Sequence, residues 1–133
     1  MPRRVIRTDE APAPVAGAPY SQAIAASGGE VLWVSGQVPL DASGALAADD
    51  VPGQTRQCLA NVAAVVAAAG GSMADVVKTT VYMTDLANFG EMNAVYAEAF
   101  GEMPPARATI GVAALPAGAQ VEIEAVAVLG AGA

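Results

Sequence analysis

Residues 75–85 read "DVVKTTVYMTD" and are dense in Val and Thr. These residues favour a strand, because a branched Cβ packs well on a pleated surface. The stretch is apolar on both faces of that strand, and so is "EVLWVSGQV" at residues 30–38. Strands of this kind need cover on both faces of their sheet. The two stretches therefore predict a sheet that is covered on both sides.

A helix is predicted before and after the strand of residues 75–85. Asp49 or Asp50 caps the first helix, which ends at Gly70, and Asp85 or Asn88 opens the second. Each helix carries one apolar stripe, in which apolar residues recur at steps of three and four. The stripes consist of Cys58, Leu59, Val62, Val65, Val66 and Ala69 in the first helix and of Met92, Val95, Tyr96, Ala99 and Phe100 in the second.

Four further strands complete the predicted fold. They lie in residues 3–8, 22–27, 106–112 and 121–129. The order is then three strands, a helix, a strand, a helix and two strands. This order predicts one α+β domain over residues 1–133, with a six-stranded mixed sheet and two helices on one face.

The size of this sheet predicts self-association. Six strands at about 4.8 Å spacing form a sheet roughly 25 Å wide, and two helices about 10 Å across cover only one of its faces. The other face carries apolar residues as well, so we expect it to meet a second copy of the chain.

The composition excludes several classes of function. A net charge of −7 and an isoelectric point near 4.2 argue against a nucleic-acid partner and against anionic membrane surfaces. The chain has no histidine and a single cysteine, Cys58, which excludes His-based triads and an internal disulfide. No stretch approaches the ~20 apolar residues of a membrane span, and residues 1–14 lack the apolar core of a secretory signal. We therefore expect a cytoplasmic protein.

Arg107 is the first candidate functional residue. It stands in "MPPARATIGV", residues 103–112, at the head of a predicted strand and among apolar neighbours. Burial of an unpaired guanidinium is costly, so Arg107 should have a fixed anionic partner, either inside the protein or in a ligand.

Glu122 and Glu124 are the second candidate feature. They lie two residues apart in "VEIEAV" and so project to one face of the last strand, about 6.5–7 Å apart. Their repulsion could raise one pKa into a range suited to proton transfer. The alternatives are that both are solvated, or that one of them pairs with Arg107.

Two loops offer further candidates. "APYSQA" places Tyr20 in a loop that a proline introduces, and "WVSGQVPL" places Ser35 beside Gly36. A glycine there lets the backbone turn or lets a ligand approach closely.

Six motifs together are similar to one known family. They are "APYSQA" (18–23), "VSGQVPLD" (34–41), "QTRQCLANV" (54–62), "DVVKTTVYMTDLANFGEMNAVY" (75–96), "PARATIGV" (105–112) and "VEIEAVAV" (121–128). In this order they resemble the reactive intermediate deaminase (Rid) family. The resemblance covers nearly the whole chain, from Ala18 to Val128.

The resemblance implies a fold, an assembly and a reaction. It implies a fold like that of the bacillus-type chorismate mutases and a homotrimer with sites in the clefts between subunits. The implied reaction is the hydrolysis of 2-imino acids and their enamine tautomers, released by pyridoxal-phosphate-dependent dehydratases, to 2-keto acids and ammonia. The implied partners are such small 2-imino or 2-keto acids, and no metal or organic cofactor is expected.

The resemblance also assigns roles to residues. Arg107 would clamp the substrate carboxylate, a task that suits the guanidinium fork. Glu122 would position or activate the attacking water. The other positions that the family uses in the cleft fall on Tyr20, Ser35, Gly36, Asn93 and Thr109. Thr109 stands where many members have Cys, so its backbone is the expected contact.

Other functions remain open at this point. The leading alternative is a trimeric binding or sensor module for small carboxylates such as 2-keto acids, which would use Arg107 without turnover. A protein-holding role has no specific support. Chorismate mutase activity would need several cations, and Arg56 is the one further contributor available. A ribonuclease role fits poorly with an acidic chain that lacks histidine.

Overall fold

The computed structural model of the chain describes residues 3–132. Six strands and two helices occur there: β1 (Arg4–Ile6), β2 (Ala23–Ala25), β3 (Val31–Gln37), α1 (Val51–Ala68), β4 (Val76–Met83), α2 (Phe89–Phe100), β5 (Ala106–Gly111) and β6 (Val121–Val128). Short 3-10 turns lie at Val15–Gly17, Met73–Asp75, Leu86–Asn88 and Pro116–Gly118. The predicted order of strands and helices is confirmed, and so is the α+β class.

The main sheet is mixed and has four strands in the order β3-β6-β4-β5. The two inner strands, β4 and β6, run antiparallel, and β3 is antiparallel to β6. The edge strand β5 runs parallel to β4, and α2 forms the connection between them. A parallel pair needs a crossover of this kind, because a short hairpin turn cannot return the chain to the same end.

Both helices pack on one face of this sheet. Asp50 caps α1, because its side chain accepts a hydrogen bond from the backbone N–H of Gly53 at 2.9 Å. The stripe residues Val62 and Val66 of α1 are fully buried, as is Tyr96 of α2. On β6 every second residue is buried toward the helices: Val121, Ile123, Ala125 and Ala127. The predicted stripes therefore face the core, except Val65 and Ala69, which are exposed.

The predicted single six-stranded sheet is wrong. β1 and β2 pair with each other in a separate antiparallel ribbon. A single bridge, between Ser21 and Ala106, links the segment before β2 to the edge of the main sheet. The physical reason lies in residues 9–22, where three prolines lack the N–H that a continuous ladder would need.

The second face of the main sheet is exposed. Trp33 on β3 is opposite Val126 on β6, and Ile110 on β5 is opposite Tyr82 on β4. These cross-strand pairs share the face that points away from the helices. Trp33 is 76% exposed and Ile110 is 44% exposed, and neither helix within residues 3–132 lies over them. An apolar surface of this kind on a sheet is typical of a partner interface.

None of the helices in the described part of the chain is both long and apolar enough to cross a membrane.

Candidate functional site

Arg107 lies on β5, and its guanidinium is enclosed by aromatic rings. Its Cζ atom is 4.7 Å from the ring centroid of Tyr96, 5.2 Å from that of Tyr20 and 5.5 Å from that of Phe89. The faces of aromatic rings carry negative potential and attract a cation. The guanidinium is therefore held in the protein by rings.

The polar atoms of Arg107 have no acceptor within residues 3–132. Its Nε, Nη1 and Nη2 are buried and make no hydrogen bond there, and the same holds for Asn93 Oδ1 and Thr109 Oγ1. Buried polar groups in native proteins are nearly always bonded, so such a cluster calls for a missing partner. Burial lowers the pKa of Arg107, and the phenolic groups of Tyr96 and Tyr20 oppose this shift.

A pocket of about 340 Å³ opens beside the guanidinium. Its walls are formed by Val15, Tyr20, Phe89, Arg107, Ala108 and Thr109. The pocket is mostly apolar, with one fixed cation in its wall. A small organic anion suits such a site, since it can satisfy the guanidinium and fill the apolar space.

The wall that contains Tyr20 is fixed by hydrogen bonds to two other segments. The backbone N–H of Val15 donates to the Tyr20 hydroxyl oxygen at 2.8 Å, which leaves the hydroxyl proton free to donate. Ser21 donates through Oγ to the carbonyl of Pro104 at 2.5 Å and through its N–H to the carbonyl of Pro105 at 3.1 Å. The loop before β2 is thereby tied to the segment that leads into Arg107.

Asn93 belongs to the same part of the structure. It lies four residues after Phe89 and three before Tyr96 on α2, so the three side chains share one face of the helix. Its Oδ1 atom is buried. α2 thus supplies two of the rings around Arg107 and carries Asn93 on the same helix face.

Glu122 lies on the opposite face of the sheet from Arg107. Arg107 is opposite Thr79 on β4, and Thr79 is in turn opposite Ala125 on β6. Directly opposed residues share a face, so Arg107 points to the helix side with Ala125. Glu122 is three residues from Ala125, and successive side chains alternate. One chain therefore does not bring Arg107 and Glu122 together.

Ser35 and Gly36 lie beside Glu122. The register between β3 and β6 shifts between Val34 and Gln37, which leaves Ser35 and Gly36 in a bulge. A Cβ atom at Gly36 would overlap Oε2 of Glu122, so a larger residue at this position would force the carboxylate of Glu122 to move. Ser35 is exposed next to this contact.

Glu124 has a partner of its own. Its carboxylate accepts a short hydrogen bond from the hydroxyl of Tyr82, and this bond raises the pKa of Tyr82. The alternative in which a glutamate pairs with Arg107 is wrong for this chain. The ion pair recorded among residues 3–132 joins Arg56 to Glu98 on the surface, at 3.8 Å.

The predicted site residues thus form two half-sites. The arginine half-site contains Arg107, Tyr20, Asn93 and Thr109, and the glutamate half-site contains Glu122, Ser35 and Gly36. No group of three or more Asp, Glu or Cys side chains able to hold a metal ion occurs within residues 3–132.

The sequence predicted Tyr20 in the cleft but missed the other two rings around Arg107. Tyr96 was assigned to an apolar stripe, and neither Phe89 nor Val15 in the pocket wall was singled out. The sequence did contain a signal for Phe89 and Tyr96. Together with Asn93 they recur at helical spacing, so a polar amide lies between two aromatic rings on one face of the second helix.

Comparison with known proteins gives consistent matches over most of the chain. The family model described as Endoribonuclease L-PSP matches residues 10–129. A RutC family protein of Pyrococcus horikoshii is 48% identical over 126 residues, which cover 94% of this chain and 97% of that protein. A Mus musculus protein named 2-iminobutanoate/2-iminopropanoate deaminase is 45% identical over 129 residues, which cover 96% of this chain and 93% of that protein.

Solved structures agree with these matches. YyfB from Yersinia pestis, described as a protein of unknown function of the conserved Rid protein family, superposes with a TM-score of 0.86 at 36% identity. The match covers 97% of this chain and all of YyfB (100%). RidA from the Antarctic bacterium Psychrobacter gives a TM-score of 0.73 at 41% identity, with 95% and 99% of the two chains covered. The sequence motifs, the matched family model and these relatives together identify the chain as a member of the Rid family.

Proposed function

We propose that this protein hydrolyses 2-imino acids and their enamine tautomers to 2-keto acids and ammonia. The observation that carries the proposal is the buried guanidinium of Arg107, which has no acceptor within residues 3–132, together with the small apolar pocket that Arg107 lines. A carboxylate can accept two parallel hydrogen bonds from this fork. The named deaminases of mouse and human, 45% and 42% identical to this chain, support the choice of reaction.

The geometry of a 2-imino acid explains how one arginine can select it. Its carboxylate carbon is bonded directly to the imine carbon. A carboxylate held by Arg107 therefore fixes the reacting carbon one bond away, in the pocket that Thr109 also lines. The apolar wall of Val15 and Phe89 can receive a short side chain.

The proposed reaction needs one water molecule and one group that handles protons. Water attacks the carbon of the protonated imine, and its oxygen forms a bond there while the C=N electron pair moves to nitrogen and a proton passes to the Glu122 carboxylate. Glu122 then returns this proton to the nitrogen of the carbinolamine. Ammonia leaves as the C–N bond breaks and the C=O bond forms, and the hydroxyl proton passes to Glu122, which releases it to solvent. The products are a 2-keto acid and ammonia, and no oxidant or reductant is required.

The two half-sites lead us to propose that two copies of the chain form each site. Arg107 and Glu122 point to opposite faces of the sheet, so the two half-sites meet when the glutamate face of one copy lies against the arginine pocket of the next. A contact between two different patches closes into a ring when the rotation between neighbouring copies divides a full turn. We propose a homotrimer with three such sites, and the exposed Trp33 and Ile110 fit an interface on the glutamate face.

A coupled assay tests the proposal. A threonine or serine dehydratase generates the imine, semicarbazide traps what remains of it, and keto-acid release is followed in parallel. We expect the wild type to suppress trapping, and Arg107→Ala to lose about 1.5–3 kcal/mol of transition-state stabilisation, or roughly ten- to a hundredfold in efficiency. Glu122→Gln should keep 2-keto acid binding and lose turnover.

The same assay includes a matched control variant and distinguishes the proposed function from the alternative one. Arg56→Ala removes an exposed arginine, whose side chain is 61% accessible and lies in a surface ion pair, and should leave the activity unchanged. If the wild type binds a 2-keto acid through Arg107 but leaves trapping unchanged, the protein is a carboxylate-binding module and the proposed hydrolysis is wrong.

A further inference from the structure

Tyr96 is fully buried against Arg107 and does not line the pocket. Its ring centroid is 4.7 Å from the guanidinium carbon, closer than those of Tyr20 and Phe89. We propose that Tyr96 is a positioning residue, which holds the guanidinium by its ring face and thereby directs the free N–H groups of Arg107 into the pocket. This inference rests on the proposed role of Arg107 in binding the substrate carboxylate.

An aromatic ring and a hydrogen-bond acceptor contact different parts of a buried guanidinium. A carboxylate or carbonyl partner would use the N–H donors, which lie in the plane of the guanidinium. A ring contacts the cation through its π face and requires no hydrogen bond. Nε, Nη1 and Nη2 of Arg107 are accordingly all without an acceptor in the part of the chain that is described. The ring stabilises the cation and leaves every donor available to a ligand.

The ring of Tyr96 is itself held in place. Its hydroxyl shares a hydrogen bond of 2.6 Å with Thr79 Oγ1 on β4, and both residues are buried. The ring of Phe100 also packs against it, with the two ring centroids 4.8 Å apart and the rings tilted by 45°. Thr79 is also the cross-strand neighbour of Arg107. The same residue of β4 therefore holds the ring of Tyr96 by a hydrogen bond and pairs with the strand position of the arginine. Because two contacts hold the ring of Tyr96 in place, the ring can in turn fix the orientation of the Arg107 guanidinium.

Orientation matters because two buried side-chain oxygens lie on the elements that surround Arg107: Thr109 lines the same pocket, and Asn93 shares the helix face of Tyr96. Asn93 Oδ1 and Thr109 Oγ1 are buried and have no partner within residues 3–132. Without the ring, Arg107 could turn toward these atoms, and a ligand carboxylate would then have to displace them. Tyr96 therefore favours the orientation of Arg107 that binds the ligand, and its loss should weaken carboxylate binding.

Binding of 2-ketobutyrate, measured by calorimetry, tests this role without the need for turnover. Two ringless variants, Tyr96→Leu and Tyr96→Met, should raise the Kd roughly three- to thirtyfold, the range that a desolvated cation–π contact supports. Methionine is flexible and fills irregular space, so Tyr96→Met provides the measurement if Tyr96→Leu disturbs folding. Tyr96→Phe keeps the ring and loses the hydroxyl, so its Kd should rise less than that of either ringless variant.

A stability control separates positioning from a general structural role. Val66 is fully buried on α1, and Val66→Ala should lower the melting temperature and leave the Kd of 2-ketobutyrate at the wild-type value. In the dehydratase-coupled assay the ringless variants should raise KM more than they lower kcat, because the carboxylate is bound in both ground and transition state. A misfolded fraction would lower the apparent kcat and leave KM unchanged.

Each outcome bears on one of the two proposals. If the ringless variants bind 2-ketobutyrate as tightly as Val66→Ala, Tyr96 does not position Arg107. If Tyr96→Phe loses as much affinity as the ringless variants, the hydroxyl and not the ring is responsible, and the inference is also wrong. If Kd follows the expected order but no variant or wild type hydrolyses the imine, the positioning role stands and the proposed deaminase function fails.

Discussion

Mixed oligomers of two inactive variants should recover activity, because the half-sites lie on opposite faces of the sheet. Arg107 points to the helix side, with Thr79, and Glu122 points to the other side. If each site takes Arg107 from one chain and Glu122 from the next, Arg107→Ala and Glu122→Gln chains can complement each other. A site inside one chain could never be intact, since every chain in the mixture carries one defect.

The size of the recovery follows from counting intact half-sites. In an equal mixture of the two variants, half of the chains offer an intact Arg107 and half offer an intact Glu122. A site between two randomly assembled chains then has both with a probability of about one quarter. The same reasoning predicts about three sixteenths of wild-type activity for a three-to-one mixture. These fractions should stand well above the residual activity of either variant, roughly one to ten per cent of wild type.

The experiment needs verified mixing. The two variants carry different affinity tags and are unfolded and refolded together, and the whole refolded mixture is assayed with the dehydratase and semicarbazide. The doubly tagged oligomers are then purified and assayed as well. In a trimer that contains both variants one site of three is intact, so about one third of wild-type activity is expected there. Variants refolded separately and then combined serve as the control, and so does a chain with both substitutions. Doubly tagged oligomers that show only the residual activity of the single variants would refute the assignment of Arg107 and Glu122 to one shared site.

Three further predictions follow from individual residues. Gly36→Ala should lower kcat at least tenfold with the oligomer intact, because the added Cβ overlaps the Glu122 carboxylate; normal kcat would show that this contact is not needed. Trp33→Glu should yield smaller particles in analytical ultracentrifugation with an unchanged circular dichroism spectrum, because Trp33 is 76% exposed on the uncovered face; an unchanged mass would place the interface elsewhere. Burial raises the pKa of the Cys58 thiol from 9.0 to about 12. The unfolded chain therefore loses this proton first, so the contribution of Cys58 to stability is complete below about pH 9 and is lost as the pH rises toward 12. Denaturant titrations should show a shallower decline over this range for Cys58→Ala, and equal slopes would contradict the assignment.

Local patterns predicted the strands and helices well, because the forces that set them act within a few residues. Asp50 caps α1 as expected, since a cap is made between a side chain and the next turn of the same helix. The spacing of Glu122 and Glu124 predicted that both project to one face of β6, and the buried Val121, Ile123 and Ala125 alternate with them on the other face. The strands at residues 3–8 and 22–27 were predicted correctly in kind, but they proved shorter, at Arg4–Ile6 and Ala23–Ala25.

The pairing of strands could not be predicted in the same way. Whether β1 and β2 join the main sheet depends on contacts between segments that are far apart in the chain. The surroundings of Arg3 could not be predicted either, for the same reason. Arg3 is buried and donates hydrogen bonds to the carbonyls of Val76 and Met103, which are far away in the chain. Burial lowers the pKa of its guanidinium, and Asp75 opposes the shift. Nothing near Arg3 in the sequence indicates these partners.

The sequence by itself determined which residues could perform chemistry. Arg107 stands out because an isolated cation before a strand needs an anion, and the motifs around it carry the family resemblance. Only the tertiary structure decided how these residues are arranged: Arg107 among three rings on the helix side, and Glu122 against Gly36 on the other. The physical reason is that residue type sets what a side chain can do, whereas strand register and packing set which groups it meets.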